Sequence, residues 1–329
     1  MILLLTDAAF IVMQEYSLKF KKSLSLGQKS RKSSVGKILL ILSFVIIILV
    51  LIYSVINRFG TSKITSPVTQ NQPLNKVVYS SKKLLDTLAE DVQKNGGTFS
   101  IYIFDIKENK GFGINENLVI TAASVNKIPI LAVLYKMAGE KTIDLEKIIV
   151  PQPSDIQHYG TGSIRYDPTG TPYSLKTLAR LMMEKSDNTA AYLFAQIIIK
   201  PSNIQKQVND WGLTQTDISE NKTSVFDMNI LLQKIYRGEI TTPSLTKEML
   251  DIMDVSDFDD RIPKGVDEGV KVYHKTGDEV GKIHDVGIVD LPKRPYFIGV
   301  MTTDVTSEEE TKKTIAKISR KVFDFMKSL

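Results

Sequence analysis

The chain has 329 residues, enough for one large domain or two ordinary ones, and no cysteine, which excludes a disulfide framework, a thiol nucleophile and a thiolate metal site. Its net charge of +5 lies wholly in residues 1–37, where Lys19, Lys21, Lys22, Lys29, Arg31, Lys32 and Lys37 face only Asp7 and Glu15; the remainder carries 35 basic and 35 acidic residues. A nucleic-acid partner needs its basic surplus on the folded domain, so none is expected here.

In chain order, residues 1–37 read as a basic cytoplasmic tail. Residues 38–57 follow without a single charge and are long enough to cross a bilayer as a helix. A cleaved signal peptide has a shorter apolar core and a small-x-small site, and Ser54-Val55-Ile56-Asn57-Arg58 offers no such site. An uncleaved signal anchor is expected, touching the lipid bilayer through 38–57 and leaving the rest of the chain outside the cell membrane. Residues 58–77, with Gly60, Pro67, Pro73 and many Ser, Thr, Gln and Asn, read as a linker.

One domain is expected over 78–329. Residues 80–94 show helical spacing through Leu84, Leu85, Leu88 and Val92. Residues 98–106 read as a strand buried on both faces: Phe99, Ile101 and Ile103 share one, Tyr102, Phe104 and Ile106 the other. Residues 110–116 return as its hairpin partner. The stretch from 124 to about 253 is mostly helical. Strands resume at 270–276, 283–290 and 296–303, and a last helix covers 307–327 with Ile315, Ile318, Val322 and Phe325 at helical spacing. The expected fold is α+β: an antiparallel sheet built from both ends of the domain, with an all-helical subdomain between them and one transmembrane helix ahead.

Three motifs stand in order along this domain: Ser124-Val125-Asn126-Lys127, Ser186-Asp187-Asn188 and Lys275-Thr276-Gly277. S-x-x-K starts at five serines (34, 80, 124, 219, 244), but S-D-N and K-T-G occur once each. Only Ser124 opens an apolar helical run, 128–137; Ser186 sits between two helical stretches, and Lys275 ends a strand-like run. A serine hydroxyl needs an adjacent base, and Lys127, one helical turn on, lies on the same face. Helix-terminal placement and apolar neighbours favour a neutral amine there. Ser186 could relay a proton to a leaving nitrogen, and the Asn188 amide suits a substrate carbonyl. Asp187 is expected to turn inward onto backbone amides. Lys275 and Thr276 suit a substrate carboxylate, Gly277 permits close backbone approach, and the N–H groups of Ser124 and Asp278 could cradle an oxyanion. His158, His274 and His284 read as core or surface residues; neither a metal nor a cofactor is expected. Tyr159 and Tyr166 lie where an aromatic could gate substrate.

These motifs, with the run Tyr173-Ser174-Leu175-Lys176-Thr177-Leu178 and the lone Trp211-Gly212-Leu213, resemble the class A β-lactamase family of penicillin-recognising serine hydrolases over about 78–329. The resemblance implies a five-stranded sheet flanked by a helical subdomain. It implies Ser124 as the acylated nucleophile, Lys127 as its base, Ser186 as proton shuttle, and Asn188, Lys275 and Thr276 as substrate ligands. The family's omega loop carries a Glu, with an Asn four positions on, that activates the deacylating water. Here only 214–222 separates Leu213 from the next helical stretch, with no such pair; Glu220 and Asp217 are its carboxylates, Glu220 the nearest candidate for the role. The expected function is a membrane-anchored β-lactamase-like hydrolase acting on β-lactam amides. The alternative is a peptidoglycan D,D-peptidase that takes D-Ala-D-Ala-type peptides and deacylates slowly after β-lactams. A non-catalytic binding module ranks third, because a sensor needs no activated base.

Overall fold

The computed structural model describes residues 74–329, with side chains from residue 81 onward. The basic tail, the apolar segment 38–57 and most of the linker lie outside the described residues, and the expected membrane helix with them. Among the described residues no helix is long and apolar enough to cross a membrane.

Helix α1 (Leu74–Asn95) starts six residues before the stretch expected at 80. Strands β1 (Thr98–Asp105) and β2 (Lys110–Ile114) form the expected hairpin. The last three long strands are β7 (Val272–Glu279), β8 (Lys282–Val289) and β9 (Tyr296–Thr303), and the chain ends on α8 (Glu308–Ser328). Their sheet has the order β2-β1-β9-β8-β7, all antiparallel. Both ends of the domain meet in it through the pairing of β1 with β9, Ile101 opposite Val300 and Ile103 opposite Ile298.

The alternation within β1 explains the layers. Phe99, Ile101 and Ile103 pack with Leu88 of α1 and Ile315, Ile318, Val322 and Phe323 of α8. Each such side chain contributes roughly 1.5–3 kcal/mol when fully buried. Ser307 caps α8 by accepting from Glu310 N–H at 3.4 Å, and Glu308, Glu309 and Glu310 lie at the positive end of its dipole. On the opposite face Tyr102, Phe297 and Met301 join the core of the helical subdomain.

That subdomain holds α2 (Lys127–Gly139), α3 (Leu175–Glu184), α4 (Asn188–Tyr192), α5 (Pro201–Asp210), α6 (Val225–Tyr236) and α7 (Pro243–Met253). Helix α2 is buried along Lys127–Tyr135, as its apolar sequence requires. Two short ladders brace it: β3 (Ile120–Thr121) with β6 (Lys222–Thr223), and β4 (Ile148–Ile149) with β5 (Tyr173–Ser174).

Two expectations change. The helical stretch after Asn188 is an α-helix only to Tyr192 and then widens to a π-helical segment, Leu193–Ile198. The strand expected at 270–276 runs from Val272 to Glu279, so Gly277 and Asp278 continue it, opposite His284 and Ile283, and all of K-T-G is strand backbone.

Candidate active site

Ser124 lies in a 3-10 turn, Ala123–Asn126, and the α-helix begins only at Lys127. The expected helix opening is thus a tighter turn that feeds the helix. Ala123 has φ 47°, a left-handed conformation costing on the order of 1 kcal/mol in a non-glycine residue; it swings the chain from β3 into the turn. Ser186 is left-handed too, with φ 50°, because the chain must reverse between α3 and α4.

The two turns meet at Lys127. Its Nζ lies 3.0 Å from Ser124 Oγ, 3.0 Å from Ser186 Oγ, 2.6 Å from Ser186 O and 2.8 Å from Asn188 Oδ1. An ammonium has three protons for these four acceptors. A neutral amine has two and keeps a lone pair, which the Ser124 hydroxyl is placed to protonate. Burial first, and then the nearby Lys275 charge, hold Lys127 well below the ordinary lysine range, against a smaller opposing pull from Asp187.

Asp187 turns inward, as expected. One carboxylate oxygen accepts from Ala190 N–H at 3.0 Å and caps α4; the other accepts from Ser163 N–H at 2.6 Å and Ile164 N–H at 2.9 Å. Gly162 makes that approach workable. Its φ is 128°, and a Cβ there would stand 2.4 Å from the Asp187 carboxylate. Thr161 adds its hydroxyl on Ser186 O at 2.8 Å, and Asn188 Nδ2 donates to Tyr159 O at 3.1 Å. The loop over 159–164 is therefore pinned onto the S-D-N turn. The Tyr159 and Tyr166 side chains are both exposed.

Strand β7 closes the other wall. A Cβ on Gly277 would stand 3.2 Å from Ser124 N and 3.0 Å from Ala122 O, so any larger residue there would have to push the Ser124 turn back by a few tenths of an ångström. Ser124, Gly160, Thr161, Ser186, Asn188, Phe258, Thr276 and Asp278 line one cleft. Lys275 is buried behind it, donating to Thr276 O at 3.1 Å. Burial lowers its pKa to about 8, although Asp285 and Asp278 pull upward.

Glu220 is not brought into this group. Its carboxylate is 65 % exposed and lies 4.0 Å from Lys222 Nζ. The short segment that carries it is braced instead. Asp217 pairs with Lys222, and its carboxylate accepts from Glu220 N–H at 2.9 Å. Buried Asp227 of α6 accepts from Gln215 N–H at 2.7 Å and Thr216 Oγ1 at 2.8 Å. Asn221 then reaches the Ser124 turn: its carbonyl accepts from Ala122 N–H at 2.7 Å, and its side-chain oxygen from Asn126 Nδ2 at 2.8 Å.

His274 and His284 are buried behind the cleft, whereas His158 is exposed. His274 contacts Asp285 through Nδ1 at 2.8 Å and Asp259 through Nε2 at 3.1 Å. Burial alone would lower its pKa, but the two carboxylates outweigh that and raise it to about 9. His284 accepts from Thr302 N–H at Nδ1, which leaves Nε2 to donate to Thr121 O at 2.9 Å; burial lowers its pKa to about 4. Among the described residues no cluster of His, Cys, Asp or Glu could hold a metal ion. Sequence reasoning did not single out Asn126, Thr161, Asn221, Phe258 or Arg261 as functional residues. The one local signal was an Asn at a turn, a residue type that, after glycine, best tolerates the φ of 51° that Asn221 adopts.

A family model described as the beta-lactamase enzyme family matches residues 82–326. No curated protein matches the sequence. The structure is similar to that of PBP-A, with TM-score 0.70 and 26% identity over 80% of this chain and 100% of that one. It is similarly close to a point mutant of PBP-A solved as an acyl-enzyme complex with penicillin G, with TM-score 0.69, 26% identity and the same coverage. A beta-lactamase from Sphaerobacter thermophilus DSM 20745 shares the fold at TM-score 0.70 and 22% identity, over 74% of this chain and 97% of that one.

Proposed function

The chain belongs to the beta-lactamase enzyme family, as a serine hydrolase of that kind, and on this premise we propose that it opens β-lactam amides through an acyl-enzyme on Ser124 and releases the product slowly. The observation that carries the reading is Lys127 Nζ, buried and 3.0 Å from both Ser124 Oγ and Ser186 Oγ. Neutral Lys127 takes the Ser124 proton as Oγ bonds to the lactam carbonyl carbon. The oxygen's developing charge falls to the backbone N–H groups of Ser124 and Asp278. The proton passes from Lys127 through Ser186 to the ring nitrogen as the C–N bond breaks. Asn188 orients the substrate, and Lys275 with Thr276 receives its carboxylate. Hydrolysis of the ester then needs an oriented water.

A second reading is favoured by one observation: among the described residues, none of the carboxylates on 214–222 is hydrogen-bonded into the Lys127 network, Glu220 being exposed beside Lys222. That suits a peptidoglycan D,D-peptidase, acylated by D-Ala-D-Ala-type peptides and trapped by β-lactams. The likeness to PBP-A is compatible with it. In both readings the domain is held outside the membrane by 38–57.

Covalent labelling of the full chain with a fluorescent penicillin tests the shared core. Ser124→Ala is expected to abolish labelling, and Ser219→Ala to leave it intact. Labelling that survives Ser124→Ala would sink the assignment. Turnover of a chromogenic cephalosporin against release of D-alanine from a stem peptide separates the two readings.

A further inference from the structure

The K-T-G wall of the cleft carries an anion of its own. Asp278 follows Gly277 on β7, lines the cleft with Ser124 and Thr276, and keeps its side chain 37% exposed. Its Oδ2 lies 2.7 Å from an Arg261 guanidinium nitrogen. Arg261 is fully buried. Its other terminal nitrogen donates to His284 O at 2.7 Å, and Nε lies 3.2 Å from Asp260 Oδ1 without making a hydrogen bond. Asp260 in turn faces Lys312 at 3.4 Å. Arg261 thus stays behind the wall and meets the cleft only through Asp278, which its terminal nitrogen holds.

Charges behind the wall are also matched in advance. Arg261 faces Asp260 and Asp278, and His274 faces Asp259 and Asp285. A site meant only to collect anions would leave its cations unmatched. Here a substrate carboxylate brought to Lys275 and Thr276 meets a fixed carboxylate on the adjacent cleft residue, and like charges placed together at an interface are penalised.

We propose that Asp278 is a specificity-determining residue: its carboxylate, held on the cleft wall beside Thr276 by Arg261, biases the cleft toward ligands of low negative charge. This rests on the reading of Ser124 as an acylated nucleophile. A carboxylate arriving at Lys275 and Thr276 lies beside the Asp278 carboxylate on the same cleft wall. Monoanionic and neutral ligands are favoured over dianions, and the acyl rate depends on ligand charge more than on ligand shape.

The test is a charge series on the full chain. Acylation rate constants are measured with benzylpenicillin methyl ester, benzylpenicillin and its carboxylated, dianionic analogue, for the wild type and Asp278→Asn. Asparagine keeps the shape and one acceptor for Arg261 while removing the charge. The ratio of the benzylpenicillin to the ester rate is expected to rise at least about tenfold in the variant, with a larger rise for the dianion and smaller gains in high salt. A ratio that stays flat or falls overturns the proposal, and shows Asp278 acting as a structural partner of Arg261. If Asp278→Asn does not fold, as judged by thermal melting, Asp278→Ser carries the same comparison. Absence of wild-type acylation by all three probes would instead remove the Ser124 reading, and this proposal with it.

Discussion

At the scale of single residues, two buried bases behave oppositely for physical reasons the contacts make plain. Lys127 faces hydroxyls, a carbonyl and an amide oxygen, none of which stabilises its charge as a carboxylate contact would, so burial wins and the amine is available to take a proton. Lys127→Ala should slow acylation by roughly 10²–10⁴-fold, the usual worth of a positioned general base, as measured by quenched-flow labelling. His274 has two carboxylates against it, and they win over burial. The folded protein therefore holds a proton on His274 that the unfolded chain releases above pH 6.5. The stabilisation is complete below pH 6.5 and disappears as pH rises through about 9. Wild type should exceed His274→Gln in unfolding free energy by on the order of 1–3 kcal/mol at pH 6, and by much less at pH 9.5. A pH-independent difference in denaturant titrations would show that His274 is neutral throughout.

Among the elements, the segment between α5 and α6 bears most on how the proposed reaction would end. It is short, and it spends its polar groups on its own bracing: Asp217 on its turn, Gln215 and Thr216 on Asp227, Asn221 on the Ser124 turn. A serine ester leaves only with an activated water, and these groups supply none. The acyl-enzyme formed with penicillin should therefore accumulate, giving a burst equal to the enzyme concentration followed by slow turnover in rapid-mixing experiments. A linear course with high turnover would show that deacylation is not limiting, and Glu220→Gln would then report whether that exposed carboxylate swings in. Loss of turnover in Glu220→Gln would assign it the role.

For the whole molecule, charge and hydropathy support the proposed tether outside a membrane. The domain from 78 onward carries no basic surplus, and the tail carries all of it. The positive-inside bias would orient a span at 38–57 with the tail in the cytoplasm. Protease added to intact cells should remove the folded domain and spare residues 1–37, as followed with tags at each end. Soluble mature domain released without protease would count against an anchor.

The sequence by itself determined the layer plan. Two-residue alternation in β1 and helical spacing in α8 are local properties, so both faces of the sheet and the helix that covers one of them were legible from 98–106 and 307–327. The three motifs also singled out Ser124, Ser186 and Lys275 as candidates before any contact was known. Their convergence was not legible, because Lys127 meets Ser186 and Asn188 across 59 and 61 residues of chain. Only the packing of α2 against the turn between α3 and α4 closes that distance. Tertiary structure likewise decided that K-T-G runs on as strand, since its pairing with Asp285 and His284 outweighs the turn preference of glycine. It decided the buried partners too. Arg261 with Asp278, and His274 with Asp259 and Asp285, form across 11 to 17 residues and carry no periodic signature. Charges such as these are placed by what the fold desolvates around them, a property of the packed whole and not of any local pattern.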